Sequence, residues 1–418
     1  MEAYVALSWR HSGLTWTNGM DSVRKERKNS MAMIPRSLLH CVVSIFSLGV
    51  CIHASDLHLE SPSDFQVFQR ASRDEGIVRV MGHADFEGAQ WQYRIVGKSR
   101  EGKPVDETWH AFPSALRDGN FDFTAPAPAG GWYRVEVRAS QEGKAVGEAN
   151  VEHVGVGEVF IVAGQSNAGS YGSERQTVKS GLVSGFDGKT WAIANDPQRG
   201  AGGAGGSFLP AFGDAMAARF GVPIGVVPIA AGGTSVRQWL PKGIPFAQQT
   251  TTGNGIVQTA DGQWESDGAL FQRLSQRLSA LGEHGARAIL WHQGESDAGQ
   301  ARGGAPADRQ ISGEQYAAFM EALIRASREK AGWNVPWFTA QTTYHSEKDL
   351  SDDEFRAAQK AAWEKGLALP GPDTDPLRAE YRTGVHFNGI GLRKHGELWA
   401  EKVGAWLDGQ LQSGEPAR

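Results

Sequence analysis

Apolar and polar residues alternate along the chain from about residue 55 to residue 153. The alternation is clearest in Gly76-Ile77-Val78-Arg79-Val80-Met81-Gly82 and in Trp132-Tyr133-Arg134-Val135-Glu136-Val137-Arg138. Trp91-Gln92-Tyr93-Arg94-Ile95 and Phe121-Asp122-Phe123 also fit short strands. A period of two marks strands with one face on a core, and the turn residues between them fall at spacings suited to a sandwich. A small all-β sandwich is therefore expected over 55–153. Pro126-Ala127-Pro128-Ala129-Gly130-Gly131 reads as a turn, because a strong strand follows it at once.

From Glu158 the pattern changes to apolar strand followed by amphipathic helix. Strands are predicted at 158–163, 222–229, 286–292 and 335–341, with a fifth near 367–370. Phe271, Leu274, Leu278 and Leu281 form one helical stripe. Tyr316, Phe319, Met320, Leu323 and Ile324 form a second, opened by a capping-box pattern of Ser312 with Gln315. A last helix is expected from near Gly389. Such alternation implies an α/β domain over 154–418, its parallel sheet covered on both faces. In such sheets ligands sit at the carboxyl ends of the strands. The stretch 173–207 has little periodicity and holds Gly200-Ala201-Gly202-Gly203-Ala204-Gly205-Gly206, so it reads as a mobile loop near the site.

Residues 1–54 read as a leader rather than fold material. Arg36 precedes the apolar stretch Leu38 to Ile52, and Ala54 ends it, as in the regions of a secretory signal. Met31 or Met33 is a plausible start for a signal of ordinary length. The stretch is shorter than the roughly 20 residues a spanning helix needs and contains His40, which favours cleavage over an uncleaved anchor. Leu48-Gly49-Val50-Cys51 is similar to a lipoprotein signal, but Val50 stands where a small residue is wanted. A mature chain starting near Ser55 is expected, exported and without stable membrane insertion. Both cysteines, Cys41 and Cys51, lie in the leader, which leaves the mature chain without disulfide, thiolate nucleophile or cysteine metal site.

The leader carries six basic and three acidic side chains, so its removal takes the formal charge from −5 to −8. The remaining charges are mixed, with no basic block, which argues against nucleic acid as a partner. Gly188-Lys189-Thr190 lacks both the first glycine and the leading strand of a phosphate-binding loop. No metal and no cofactor is implied, because no ligand spacing for zinc or calcium is present.

Three segments carry candidate chemistry. Gly164-Gln165-Ser166-Asn167 follows the apolar run Val159 to Ala163, placing a serine and free backbone N–H groups at a sheet edge. A serine nucleophile needs an exposed hydroxyl and donors for the oxyanion. Ala168 replaces the last glycine of a G-x-S-x-G elbow, which argues against the α/β-hydrolase fold. Trp291-His292-Gln293-Gly294-Glu295-Ser296-Asp297 follows the run Ala288 to Leu290, and Val385-His386-Phe387-Asn388 lies near the C-terminus. Imidazole titrates near neutral pH and can take the proton of a hydroxyl, so His386 is the candidate base. His292, at a strand end beside Trp291, reads as a satisfied, partly buried histidine.

With Gly232-Gly233-Thr234-Ser235, these blocks resemble the SGNH-hydrolase superfamily, and more narrowly the sialate O-acetylesterase-like carbohydrate esterases. The likeness runs from about Val154 to about Leu411. It implies a flavodoxin-like three-layer parallel sheet and an acyl-enzyme on Ser166 with His386 as base. It further implies an oxyanion hole of the Ser166 N–H, the Gly233 N–H and the Gln293 side-chain amide. Many relatives place Asp three residues before the histidine; Thr383 stands there instead. Glu295 is the first choice for the third member, with Asp373 and Asp375 next, then Asp297 and Glu380; an unassisted Ser–His dyad is the other option. The implied substrate is an acetylated carbohydrate, either sialate or a plant-type polysaccharide. Trp239 and Trp264 could stack on a sugar, though core packing is the simpler role for each. The competing reading is a carbohydrate-binding protein that kept the fold and lost activity, supported by Thr383. Nothing suggests the extended peptide-binding edge of a peptidase.

Overall fold

A computed structural model describes residues 57–84, 86, 88–112, 119–299 and 305–412. The leader expected over residues 1–54 lies outside them. No helix among the described residues is long and apolar enough to cross a membrane.

The first hundred described residues form strands only. His58–Ser61, Glu75–His83 and Asn120–Pro128 make an antiparallel three-stranded sheet in that order. Gln90–Val96 pairs with Gly130–Gln141, which pairs in turn with the long strand Lys144–Gly164 in a second sheet. Val78, Val80 and Ala125 from the first sheet pack on Trp91, Val135, Val137 and Val156 from the second. The expected turn at 126–131 is shorter than its composition suggested. Pro126 and Pro128 pair with Ile77 and Glu75 as part of the strand. They are tolerated because Asn120–Pro128 is an edge strand, where a missing N–H leaves no ladder bond unmade.

Strand Lys144–Gly164 runs on into the next sheet without a break near residue 154. That sheet runs Trp191–Ile193, Val183–Phe186, Ile224–Pro228, Lys144–Gly164, Ala288–His292, Trp337–Gln341, Leu369–Asp373. All neighbours are parallel except the first pair. Four of the five predicted strands appear within two residues of their expected starts, and the first is the end of the long strand. The stretch 173–207 differs from expectation: it supplies the two outermost strands on one side. They are three and four residues long and carry Ser184 and Gly185, too short and too mixed to show a period.

Successive side chains of the central strand enter opposite cores. Val159, Ile161 and Ala163 face helices Ala269–Leu281, Gly313–Ala331 and Asp353–Glu364. Phe160 and Val162 face Leu209–Phe220 and Gly389–Gln412. The capping box at Ser312 is formed: Gln315 N–H donates to Ser312 Oγ at 3.2 Å, and Ser312 N–H to Gln315 Oε1 at 3.0 Å. The chain leaves the central strand toward one edge of the sheet and later returns on its other side. This is the switch point at which α/β sheets open a crevice.

Further back along that strand, Glu158 is fully buried between Arg70 and Arg287, each 2.6 Å away. Burial opposes its charge, but Arg287 and Arg70 outweigh it and hold the carboxyl below its ordinary value. Gln69 Nε2 adds a bond to Oε2 at 2.9 Å. Removing one partner from such a buried cluster leaves the others uncompensated. Glu158→Gln is expected to destabilise the protein by about 3–5 kcal/mol, measurable as a lower urea midpoint.

Candidate active site

The segment that follows the central strand turns because of one close contact. Gly164 pairs in register with His292, has a φ of 135°, and leaves no room for a Cβ beside the His292 carbonyl. Gln165 N–H then donates to His292 O at 3.0 Å. Ser166 opens the one-turn 3-10 helix Ser166–Ala168, closed by Ala168 N–H to Gln165 O at 3.0 Å and Gly169 N–H to Ser166 O at 2.9 Å. The Gln165 side chain reaches across: its Oε1 accepts the Ser296 N–H at 3.0 Å, at the start of helix Glu295–Gly299.

Asn167 joins three of the expected site segments. Its Nδ2 donates to Glu295 Oε1 at 2.9 Å and to Val385 O at 3.2 Å. The same Val385 carbonyl accepts Arg382 Nη1 at 2.7 Å. Arg382–Thr383 and His386–Phe387 form a tight hairpin in which Thr383 pairs with His386, and Gly384 supplies the left-handed turn at φ 66°. The guanidinium of Arg382 lies over the rings of Phe387 and Tyr344, at 4.0 and 4.2 Å, and burial pushes its pKa down to about 10. The hairpin contacts the Ser166 turn.

His386 is half-buried, with its ring stacked on Tyr171 at 5.6 Å. Burial lowers its pKa; Glu295 works against that and Arg382 with it, leaving the ring below its ordinary value. Glu295 is fully buried. Burial opposes its charge, but His292 and the Asn167 amide hold its carboxyl below the usual range. Its Oε1 lies 3.3 Å from His292 Nε2, and neither Oε2 nor His292 Nε2 has a hydrogen-bond partner among the described residues.

The Gly232–Ser235 loop borders the serine turn. Gly233 has a φ of 68° and faces open space, while Gly232 packs so closely on the Tyr171 hydroxyl that a side chain would collide. Asp297 holds this loop: its carboxylate accepts Ser235 Oγ at 2.5 Å and the Val236 N–H at 2.9 Å. Among the described residues, neither the Ser166 nor the Gly233 N–H has an acceptor.

Gln293 departs from its expected place. Its Nε2 donates to Thr234 O at 3.0 Å and to Asp297 Oδ2 at 2.7 Å, and its Oε1 accepts Tyr316 Oη–H at 3.0 Å. Both amide protons are thus spent within the protein and the side chain is buried, so it braces the Gly233 loop rather than pointing at an oxyanion. Sequence spacing could not show that Asp297, one turn on, takes one of those protons.

The other carboxylates are committed elsewhere. Arg356 pairs with Asp373 and Asp375 at 2.7 Å each, and Asp375 also accepts the Thr343 and Tyr344 N–H groups. Glu380 is exposed in a turn. Trp239 is fully buried, edge-on to Trp291, with its Nε1 donating to Thr234 Oγ1 at 3.0 Å. Trp264 sits in a small hairpin, partly buried against the core. His292 is fully rather than partly buried. Asn167, Tyr171 and Arg382 were not singled out from sequence. Only Asn167 carried a signal, as the last residue of Gly-Gln-Ser-Asn.

The fold and site therefore describe an α/β protein with a serine, a histidine and a buried glutamate gathered at the carboxyl edge of a parallel sheet. Residues 156–404 match the family of sialic acid-specific acetylesterases among the carbohydrate esterases, and the chain belongs to that family. No curated protein matches the chain. Among solved structures, a carbohydrate acetylesterase from Xanthomonas citri is similar, with 18% identity over 81% of this chain and 72% of its own, at a TM-score of 0.48. A protein from Arabidopsis thaliana shares 22% identity over 60% of this chain and 98% of its own, at a TM-score of 0.42.

Because Gly164 combines a left-handed φ with a close backbone approach, Gly164→Ala should cost about 3 kcal/mol or more. A fall in melting temperature of several degrees or loss of soluble protein would show it, and an unchanged melting temperature would refute the reading.

Proposed function

We propose that this protein is an exported serine esterase that removes O-acetyl groups from a carbohydrate, through an acyl-enzyme on Ser166. The observation that carries the reading is the convergence on Asn167. Its one side chain follows Ser166, holds Glu295 and pins the carbonyl before His386. The fold is read as the SGNH type, with the crevice at the switch point of the sheet as the site.

In this mechanism Ser166 Oγ attacks the ester carbonyl while His386 takes its proton. A lowered pKa keeps His386 in its free-base form near neutral pH, as a proton acceptor must be. The Ser166 and Gly233 N–H groups, which have no acceptor among the described residues, donate to the oxyanion that forms. Collapse expels the sugar hydroxyl, which leaves with the proton held by His386. Water, deprotonated by His386, then attacks the acetyl-enzyme and releases acetate. In this reading Glu295 stabilises the imidazolium, in place of the acid missing at Thr383; its charge already favours the protonated ring of His386. The acetyl group and the carbohydrate rest on the family, and export rests on the leader sequence.

Ser166→Ala should abolish hydrolysis of an activated acetate ester and leave the circular dichroism spectrum and melting curve unchanged, since one oxygen is removed at a turn. Wild-type turnover in that variant would move the nucleophile elsewhere.

Glu295→Gln should lower turnover by roughly 10²- to 10⁴-fold. The carboxylate raises the His386 pKa, so its loss should lower that pKa further and carry the acid limb of the pH–rate profile to lower pH. A limb that stays in place would leave His386 without help from Glu295.

A further inference from the structure

The hairpin that carries His386 is anchored through its backbone, but the imidazole itself needs a support. Among the described residues the ring makes no hydrogen bond, and its ring contact is the stack on Tyr171, with planes 30° apart and centroids at 5.6 Å. Whatever fixes Tyr171 thus bears directly on the base.

Two glycines grip the hydroxyl end of that tyrosine. A Cβ on Gly202 would lie 2.7 Å from the Tyr171 Oη, and a Cβ on Gly232 would lie 2.5 Å from it. Gly232 belongs to the loop that presents the Gly233 N–H. Gly202 belongs to the glycine run 200–206, which the mechanism has not used. That run is bonded to its neighbours on two sides. Gly202 N–H donates to Ala230 O at 2.9 Å, just before the Gly232–Ser235 loop, and Gly202 O accepts the Ser170 N–H at 2.9 Å. Gly205 N–H donates to Ser170 O at 2.7 Å, and Gly172 and Gly206 exchange both N–H···O bonds at 2.9 and 2.8 Å. Side chains at Gly205 and Gly206 would collide with the carbonyls of Gly172 and Glu174. Glycine permits this approach because it has no Cβ. From the same segment Ser173 N–H donates at 3.1 Å to the carbonyl of Phe387, the residue after His386.

We propose that Tyr171 is a positioning residue for the esterase reaction: seated by the glycine run between Gly202 and Gly232, it sets the plane of the His386 ring and its place relative to the Gly233 loop. Its phenol also covers that ring from solvent. Burial is the largest influence on the titration of His386, ahead of Glu295 and Arg382, the charged groups that bear on it. The inference rests on the esterase reading for its kinetic consequence, but not for the seating of the ring.

The seating is tested on the full-length protein by ¹⁵N-histidine NMR, following the titration of His386, with His386→Gln used to assign its signals. Tyr171→Ala uncovers the ring, so its pKa should rise by about half a pH unit or more, whereas Tyr171→Phe should leave it in place. An unmoved titration in Tyr171→Ala would overturn the proposal whether or not the protein hydrolyses esters. On an activated acetate ester, Tyr171→Ala should lower turnover about 10- to 100-fold and carry the acid limb to higher pH, with Tyr171→Phe losing far less. A residue that only filled space would lower turnover without moving that limb. Gly202 lies outside the left-handed region, so Gly202→Ala meets crowding alone. Its methyl should displace the phenol and lower turnover, and adding Tyr171→Phe should restore much of the loss by removing the colliding oxygen. A double variant no better than Gly202→Ala would sink the proposal, and this pair decides it even where Tyr171→Ala fails to fold. Absence of ester hydrolysis by the wild type would refute the esterase reading alone, because the NMR titration is independent of it.

Discussion

The contact between Gly164 and the His292 carbonyl is the constraint on which the site depends. It lets two parallel strands end at the same level with their backbones closer than any side chain would permit. Ser166 leaves one strand end and Glu295 the other, so the contact sets how far apart their turns begin. Every later link in the site presupposes it: Gln165 to the Ser296 N–H, and Asn167 to Glu295. A glycine there is thus a tertiary requirement that shows in the sequence only as an unremarkable turn residue.

Around that contact the polar groups sort into two braces. One is built on Asp297, which takes donors from Ser235, Val236 and Gln293 and so holds the Gly233 loop. The other is built on Glu295, which takes Asn167 and faces His292. Two carboxylates two residues apart on one short helix thus serve different loops. Burial would disfavour both charges in isolation, and each is offset by donors held in place by the packed strands and helices behind them. The hairpin carrying His386 is tied down by Arg382 and Asn167 converging on one carbonyl. A histidine on a short loop thereby gains a defined place.

The strand and helix order was legible from the chain because apolar runs bounded by turns and amphipathic stripes report local burial directly. Five parallel strands, three helices and the capping box at Ser312 were all readable in this way. The two short strands within 173–207 were not. Their place comes from pairing at the edge of an existing sheet, which needs backbone groups rather than a side-chain pattern. The extended run through Pro126 and Pro128 was hidden for a related reason, since proline is excluded only where its missing N–H would be needed.

The sequence by itself determined the class of architecture, the family, and which short segments meet at the carboxyl edge of the sheet. Those properties follow from periodicity and from residues adjacent in the chain. Tertiary structure alone decided which polar atoms face one another. Gln293 was turned inward by Asp297 and Thr234, Asp373 and Asp375 were claimed by Arg356, and Glu295 was left as the buried carboxylate electrostatically coupled to His386. Each outcome hangs on partners from distant parts of the chain. A hydrogen bond is settled by tenths of an ångström and tens of degrees, which spacing along a sequence does not encode.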